Sequence, residues 1–89
     1  MELDAAWEAG FREKLDRAYV WPSLYTFKFI VKAGKEEEVQ RLFPTHTHTS
    51  KSSAKGNYTS LTFQMMMPSS DAVVSVYRRA GTVEGLIAL

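Results

Sequence analysis

The sequence predicts one small α+β domain, in which an N-terminal amphipathic helix precedes a β-α-β-β-α-β series. Three observations carry this. Apolar and polar residues alternate through 24–31 and again through 58–67, the period of a half-buried strand. Apolar residues recur at helical spacing through 4–19 and after Ser70. Gly56-Asn57 stands just before the second alternating run, where a hairpin needs its turn.

The elements follow in chain order. Leu3, Trp7, Phe11 and Leu15 recur at every fourth position, with Glu8, Arg12, Glu13, Asp16 and Arg17 on the other faces. Asp4 is placed to cap this helix. Pro22 holds Trp21 extended and ends the segment. In the first strand Tyr25, Phe27, Phe29 and Val31 face one way, Thr26, Lys28 and Lys32 the other. Ile30 breaks the alternation, as in a central strand with both faces partly covered. Gly34 opens a short helix over 35–43, with Glu36, Glu37 and Glu38 at its positive end and Pro44 as its stop.

Residues 45–55 are polar and β-branched, without a large apolar side chain, which suits an edge strand kept soluble by lysines. Gly56-Asn57 is expected as a two-residue turn into the return strand 58–67. There Leu61, Phe63 and Met65 face the core, while Tyr58, Ser60, Thr62 and Gln64 face away. Alternation buries Met65 and Met67 and exposes Met66. Ser69 or Ser70 caps a second core helix with Val73, Val76, Tyr77 and Ala80 inward, and Gly81 stops it. Residues 82–89 are expected as a last strand. This order is the split βαβ, or ferredoxin-like, pattern, whose sheet puts the second and fourth strands at its edges.

Composition narrows the function classes. Eighty-nine residues make one domain, read as a helical extension over 1–20 and a ferredoxin-like domain over 21–89. A 45% hydrophobic content with five Phe, four Tyr and two Trp supplies a core for so short a chain. The absence of cysteine excludes disulfides, thiolate catalysis and cysteine-based zinc sites, and fits a reducing compartment. A net charge of +1 gives no bulk pull toward nucleic acid or anionic membrane. No apolar run approaches the roughly 18 residues of a membrane span, and Met1-Glu2-Leu3-Asp4 lacks a signal core. A cytoplasmic protein is expected.

Two stretches carry a family resemblance. Trp21-Pro22-Ser23-Leu24-Tyr25-Thr26-Phe27-Lys28 and Ser52-Ser53-Ala54-Lys55-Gly56-Asn57-Tyr58-Thr59-Ser60 together resemble the YbeD-like family of small uncharacterised bacterial proteins. The resemblance spans about residues 21–89. It implies a ferredoxin-like fold similar to the ACT regulatory domains of amino-acid enzymes, and no established activity. In ACT domains a glycine-bearing loop after the first strand often holds the ligand. Here 31–35 supplies Gly34 but neither the acidic or amide residue nor the proline of that pattern.

The candidate chemistry is sparse. On a strand His46 and His48 would share a face and could approach one metal, but 44–70 contains no Asp, Glu or Cys to complete a site. No metal and no cofactor are therefore expected. Lys51, Lys55 and the Gly56-Asn57-Tyr58 turn, with Lys28 and Lys32 on a neighbouring strand, form one candidate anion or ligand site, and the Gly34 loop is the alternative one. The same lysines also serve simply to keep a sheet edge soluble. Lys55-Gly56-Asn57-Tyr58 faintly resembles the third-strand signature of RNA-recognition motifs. Tyr58 is followed on its face by Ser60, Thr62 and Gln64, so the base-stacking platform is missing and nucleic acid is not the expected partner.

The stripe Leu3, Trp7, Phe11, Leu15 needs cover, either on the open sheet face of its own chain or on a second subunit. These readings lead to a non-enzymatic regulatory or interaction module that self-associates or engages a partner protein. The alternative is a sensor of an amino-acid-like or anionic small molecule. An RNA-binding module and a cryptic enzyme using His46 or His48 stand behind both.

Overall fold

The computed structural model describes residues 4–89. The elements run α1 (Ala5–Ala18), β1 (Ser23–Lys32), α2 (Glu36–Leu42), β2 (His48–Ser52), β3 (Tyr58–Met67), α3 (Ser70–Ala80) and β4 (Ile87–Ala88). The four strands form one antiparallel sheet in the order β2-β3-β1-β4. This α+β arrangement of four strands and three helices is consistent with a ferredoxin-like fold, and the polar β2 lies at an edge as its composition predicts.

The sheet is built around β1 and β3, which pair over their full lengths from Ser23↔Met67 to Lys32↔Tyr58. That register places Phe27 opposite Phe63 and Phe29 opposite Leu61. These four side chains, with Val31 and Met65, are almost fully buried under the helices. Period two decides the faces: a shift of one residue would turn this whole set to solvent. Met65 and Met67 are buried and Met66 exposed, as alternation requires. Tyr77 of α3 lies edge-on to both Phe27 and Phe29, with ring centroids 5.3 and 6.2 Å away.

The helices start and stop for local reasons. Asp4 accepts from the Trp7 N–H at 2.7 Å, and Ser69 accepts from the Ala72 N–H at 3.2 Å. Of the two serine candidates, Ser69 is the cap. In α3 Val73, Val74, Val76, Tyr77 and Ala80 are buried. The helix ends at Gly81 with right-handed backbone, its N–H bonded to the Tyr77 carbonyl, so the stop needs no left-handed glycine.

Three expectations are corrected. The β2–β3 connection is not a two-residue turn. Ser53 N–H donates to the Tyr58 carbonyl, Gly56 N–H donates to the Ser53 carbonyl, and Ala54, Lys55, Gly56 and Asn57 all lie in the loop. Of its residues Gly56 alone has positive φ, at 73°, so Asn57 does not take the left-handed turn position. The last strand is two residues long, not eight. Val83 and Leu86 are buried core residues reached through successive turns, Val83 N–H to Ala80 and Leu86 N–H to Val83, which keep 82–86 from extending.

The third correction concerns α1. It does not cover the open sheet face; it lies beside α3. Phe11 meets Tyr77 with centroids 5.6 Å apart, and Leu15 is 4% exposed within the main core cluster. Trp7 packs on Phe11 but stays 46% exposed. Leu3, the fourth member of the stripe, lies outside the described residues. Glu8, expected on a polar face, is buried instead. Arg78 donates to both its carboxylate oxygens, Nε to Oε2 at 2.9 Å, and Arg12 donates from the next turn at 3.5 Å. Arg12 Nε also lies 2.6 Å from the Asp71 carboxylate. Two ion-paired arginines thus bind α1 to α3.

Candidate functional site

With three helices on one face, the other face of the sheet is uncovered. Register assigns its residues row by row. Lys51, Ser60, Ile30 and Ile87 lie abreast across the four strands; Thr49, Thr62 and Lys28 make the next row; Tyr58 and Lys32 lie beyond. None of the four strands contains an aspartate or glutamate. Among the described residues neither Lys28, Lys32, Lys51 nor Lys55 pairs with a carboxylate, and Lys35 is the one lysine that does, with Glu38. The face therefore combines free ammonium groups, hydroxyls and exposed apolar side chains: Leu24, Tyr58, Met66 and Ile87 are each at least 44% exposed.

A solvent-open hollow of about 610 Å³ lies on this face. Lys28, Ile30, Lys51, Tyr58 and Ser60 line it, with Ser52, Ser53 and Ala54 at the loop end. Its shape follows from side-chain size. Ser60 is small and sits on β3 between Ile30 of β1 and Lys51 of β2, so the middle of the row is low and its ends are high. The Ser60 hydroxyl donates to the Lys51 carbonyl at 3.4 Å. A volume in the range of small-ligand sites and a mostly apolar lining with two cations suit binding more than chemistry.

The predicted site residues divide. Lys28, Lys51 and Tyr58 meet in this hollow. Gly56 and Asn57 instead line a neighbouring one of about 420 Å³ with Lys32 and Ala33, and Tyr58 borders both. Asn57 accepts from the Ala33 N–H at 3.0 Å, so the hairpin and the loop after β1 touch. Lys55 is exposed at the loop tip. Gly34, with φ of 99°, turns its N–H to the protein's own Glu36 carboxylate. Thr59 donates to the other oxygen of Glu36 at 3.1 Å. Glu36's own N–H, then Gly34 and Thr59, hold that carboxyl below its ordinary pKa, so the expected anion position at Gly34 is filled from within.

The histidines do not share a face of one strand, because β2 starts at His48 and His46 precedes it. The His48 ring lies tilted against Phe63, with centroids 5.2 Å apart, and its Nε2 lies 3.2 Å from Gln40 Nε2. His46 is exposed near Phe43, Met65 and Arg79. Among the described residues no three potential metal ligands come together. Phe63 is buried on the helix-covered face, which leaves Tyr58 without the aromatic neighbours that base stacking needs.

Ile30 and Ser60 were absent from the ligand candidates of the sequence, although both are central to the hollow. Ile30's break in the alternation was the available signal: an apolar residue on a face that its neighbours mark as polar.

The fold and this surface define a small α+β domain with one helix-covered and one bare sheet face. The chain belongs to the family described as a protein of unknown function, DUF493, whose model matches residues 16–88. This is the family that includes YbeD, a family of small uncharacterised bacterial proteins. No curated protein and no solved structure matches the chain. Among the described residues no helix is long and apolar enough to cross a membrane.

Proposed function

We propose that this chain is a non-enzymatic, cytoplasmic regulatory module of ferredoxin-like, ACT-like architecture that acts by binding on its uncovered sheet face. The observation that carries the reading is the hollow itself. Exposed apolar side chains and two lysines that pair with no carboxylate among the described residues surround a low floor, on a face whose strands contain no carboxylate. The polar groups there are hydroxyls and amines, and the half-buried imidazole of His48 is engaged by Gln40 rather than by a hydroxyl.

A thermal-stability screen of the full chain against a panel of small metabolites tests this. A ligand at one hundred times its Kd raises stability by about 2.7 kcal/mol. Stabilisation that is lost in an Ile30→Ser/Lys51→Gln variant, itself still folded, is the expected result. A panel without a single stabilising compound overturns the reading.

A second reading is self-association through α1. Trp7 is 46% exposed beside Ala6, Gly10, Phe11 and Lys14, an apolar spot that a second copy would cover. Light scattering over a hundredfold concentration range decides it. A dimer that Trp7→Ala converts to a monomer supports this reading, and a wild-type monomer throughout removes it.

A further inference from the structure

The hollow's chemistry identifies its ligand more closely. Resting on the reading of the sheet face as the working surface, we infer that the hollow between Lys28, Lys51 and Tyr58 takes a small organic anion with an apolar body, its carboxylate held by the two lysines.

The argument is one of placement. Lys51 on β2 and Ile30 on β1 flank Ser60 on β3, so they stand two strand spacings apart, roughly 10 Å. Lys28 is two residues from Ile30 along β1 and on the same face. Both ammonium groups sit on flexible stems long enough to close on one carboxylate above Ser60 and Thr62. Beside Ser52, Ser53 and Ser60, the lining has apolar surface: Ile30, Ala54 and the Tyr58 ring offer an aryl or short alkyl group a place to lie. A bare inorganic anion would leave that surface wet, and a neutral apolar molecule would leave the lysines unmatched.

Other occupants fit less well. Two copies docked through this face would set Lys28 and Lys51 against like-charged lysines, with no carboxylate on the strands to answer them. Single-stranded nucleic acid would find one exposed aromatic, Tyr58, and no second ring beside it on its strand.

The experiment is an NMR titration of the full chain with 4-phenylbutyrate, its uncharged amide and inorganic phosphate. The expected result is saturable shifts at Lys28, Ile30, Lys51, Tyr58 and Ser60. The amide and phosphate should each bind at least tenfold more weakly. Lys28→Gln/Lys51→Gln should weaken phenylbutyrate binding at least tenfold, while Lys14→Gln, on α1, should change it less than twofold. These exposed positions leave the core intact. Equal binding of amide and acid, equal binding of phosphate, shifts elsewhere, or no shifts would each overturn the inference. So would shifts that follow protein concentration with a doubling of solution mass. If phenylbutyrate fails while another class of metabolite stabilises the chain through this face, the ligand class falls and the binding-module reading stands.

Discussion

Arg78 Nε donates to Glu8 Oε2 at 2.9 Å across seventy residues of sequence, and so joins the first helix to the third. The Arg78 bond is the main reason that the Glu8 carboxyl titrates below its ordinary value of 4.5. A depressed folded pKa gives stability that is present above the unfolded pKa and lost as pH falls through the folded one. Glu8→Gln should therefore lower the thermal midpoint at pH 7. The difference from wild type should shrink steadily below about pH 4.5, where wild-type Glu8 also becomes neutral. Calorimetry at pH 7 and pH 3 checks this, and an unchanging gap would show that the ion pair is not the cause.

Leu15 carries α1 into the core. Leu15→Ala should cost about 2–4 kcal/mol in urea unfolding, because it removes a buried leucine that a distant helix cannot replace. A loss below 0.5 kcal/mol would mean that α1 sits loosely on the domain.

Phe27 and Phe63 face each other across β1 and β3 with no exposed surface. Phe27→Ala or Phe63→Ala should cost roughly 3–5 kcal/mol, enough to unfold much of a population in so small a domain. By contrast Ile87→Ser, on the bare face at 52% exposure, should change stability by less than about 0.5 kcal/mol. Parallel denaturation curves of the three variants test the assignment of faces.

Gly56 holds a φ of 73° at the tip of the β2–β3 loop. Nothing crowds its missing Cβ, so the cost of a side chain there is conformational alone. Gly56→Val should destabilise by roughly 1–2 kcal/mol, with Val resisting left-handed backbone more than Ala. Urea midpoints of the Ala and Val variants give the comparison.

Tyr77 shares a 3.3 Å hydrogen bond with Tyr25, and burial first, then that bond, pushes its hydroxyl above the ordinary value of 10. An acid with a raised folded pKa loses stability as pH climbs past the unfolded pKa, because only the unfolded chain then ionises. Tyr77→Phe should cost about 0.5–1.5 kcal/mol at pH 7 and flatten the decline above pH 10. Urea unfolding at pH 7, 9.5 and 10.5 reads both effects.

The sequence by itself determined the two long strands, their inward faces and the edge position of β2. Alternation is local, and a one-residue error in Phe27, Phe29, Leu61 and Phe63 would expose the entire core. It also determined the start of α1 at Asp4 and placed the start of α3 at one of two serines, because such caps act through bonds three residues long; the structure chose Ser69. Only the tertiary structure decided where α1 packs. A stripe of Trp7, Phe11 and Leu15 states that a helix needs cover but not which cover, and Glu8 finds its answer in Arg78, seventy residues away. The shortness of β4 was likewise hidden, since Val83 and Leu86 read as strand residues until the turns after α3 carry them into the core. The hollow depended on register above all. Lys28, Ile30, Lys51, Tyr58 and Ser60 come from three strands, and only backbone pairing sets the small serine between the larger residues. Local periodicity fixes which way a side chain points; which side chains it meets is fixed by long-range pairing.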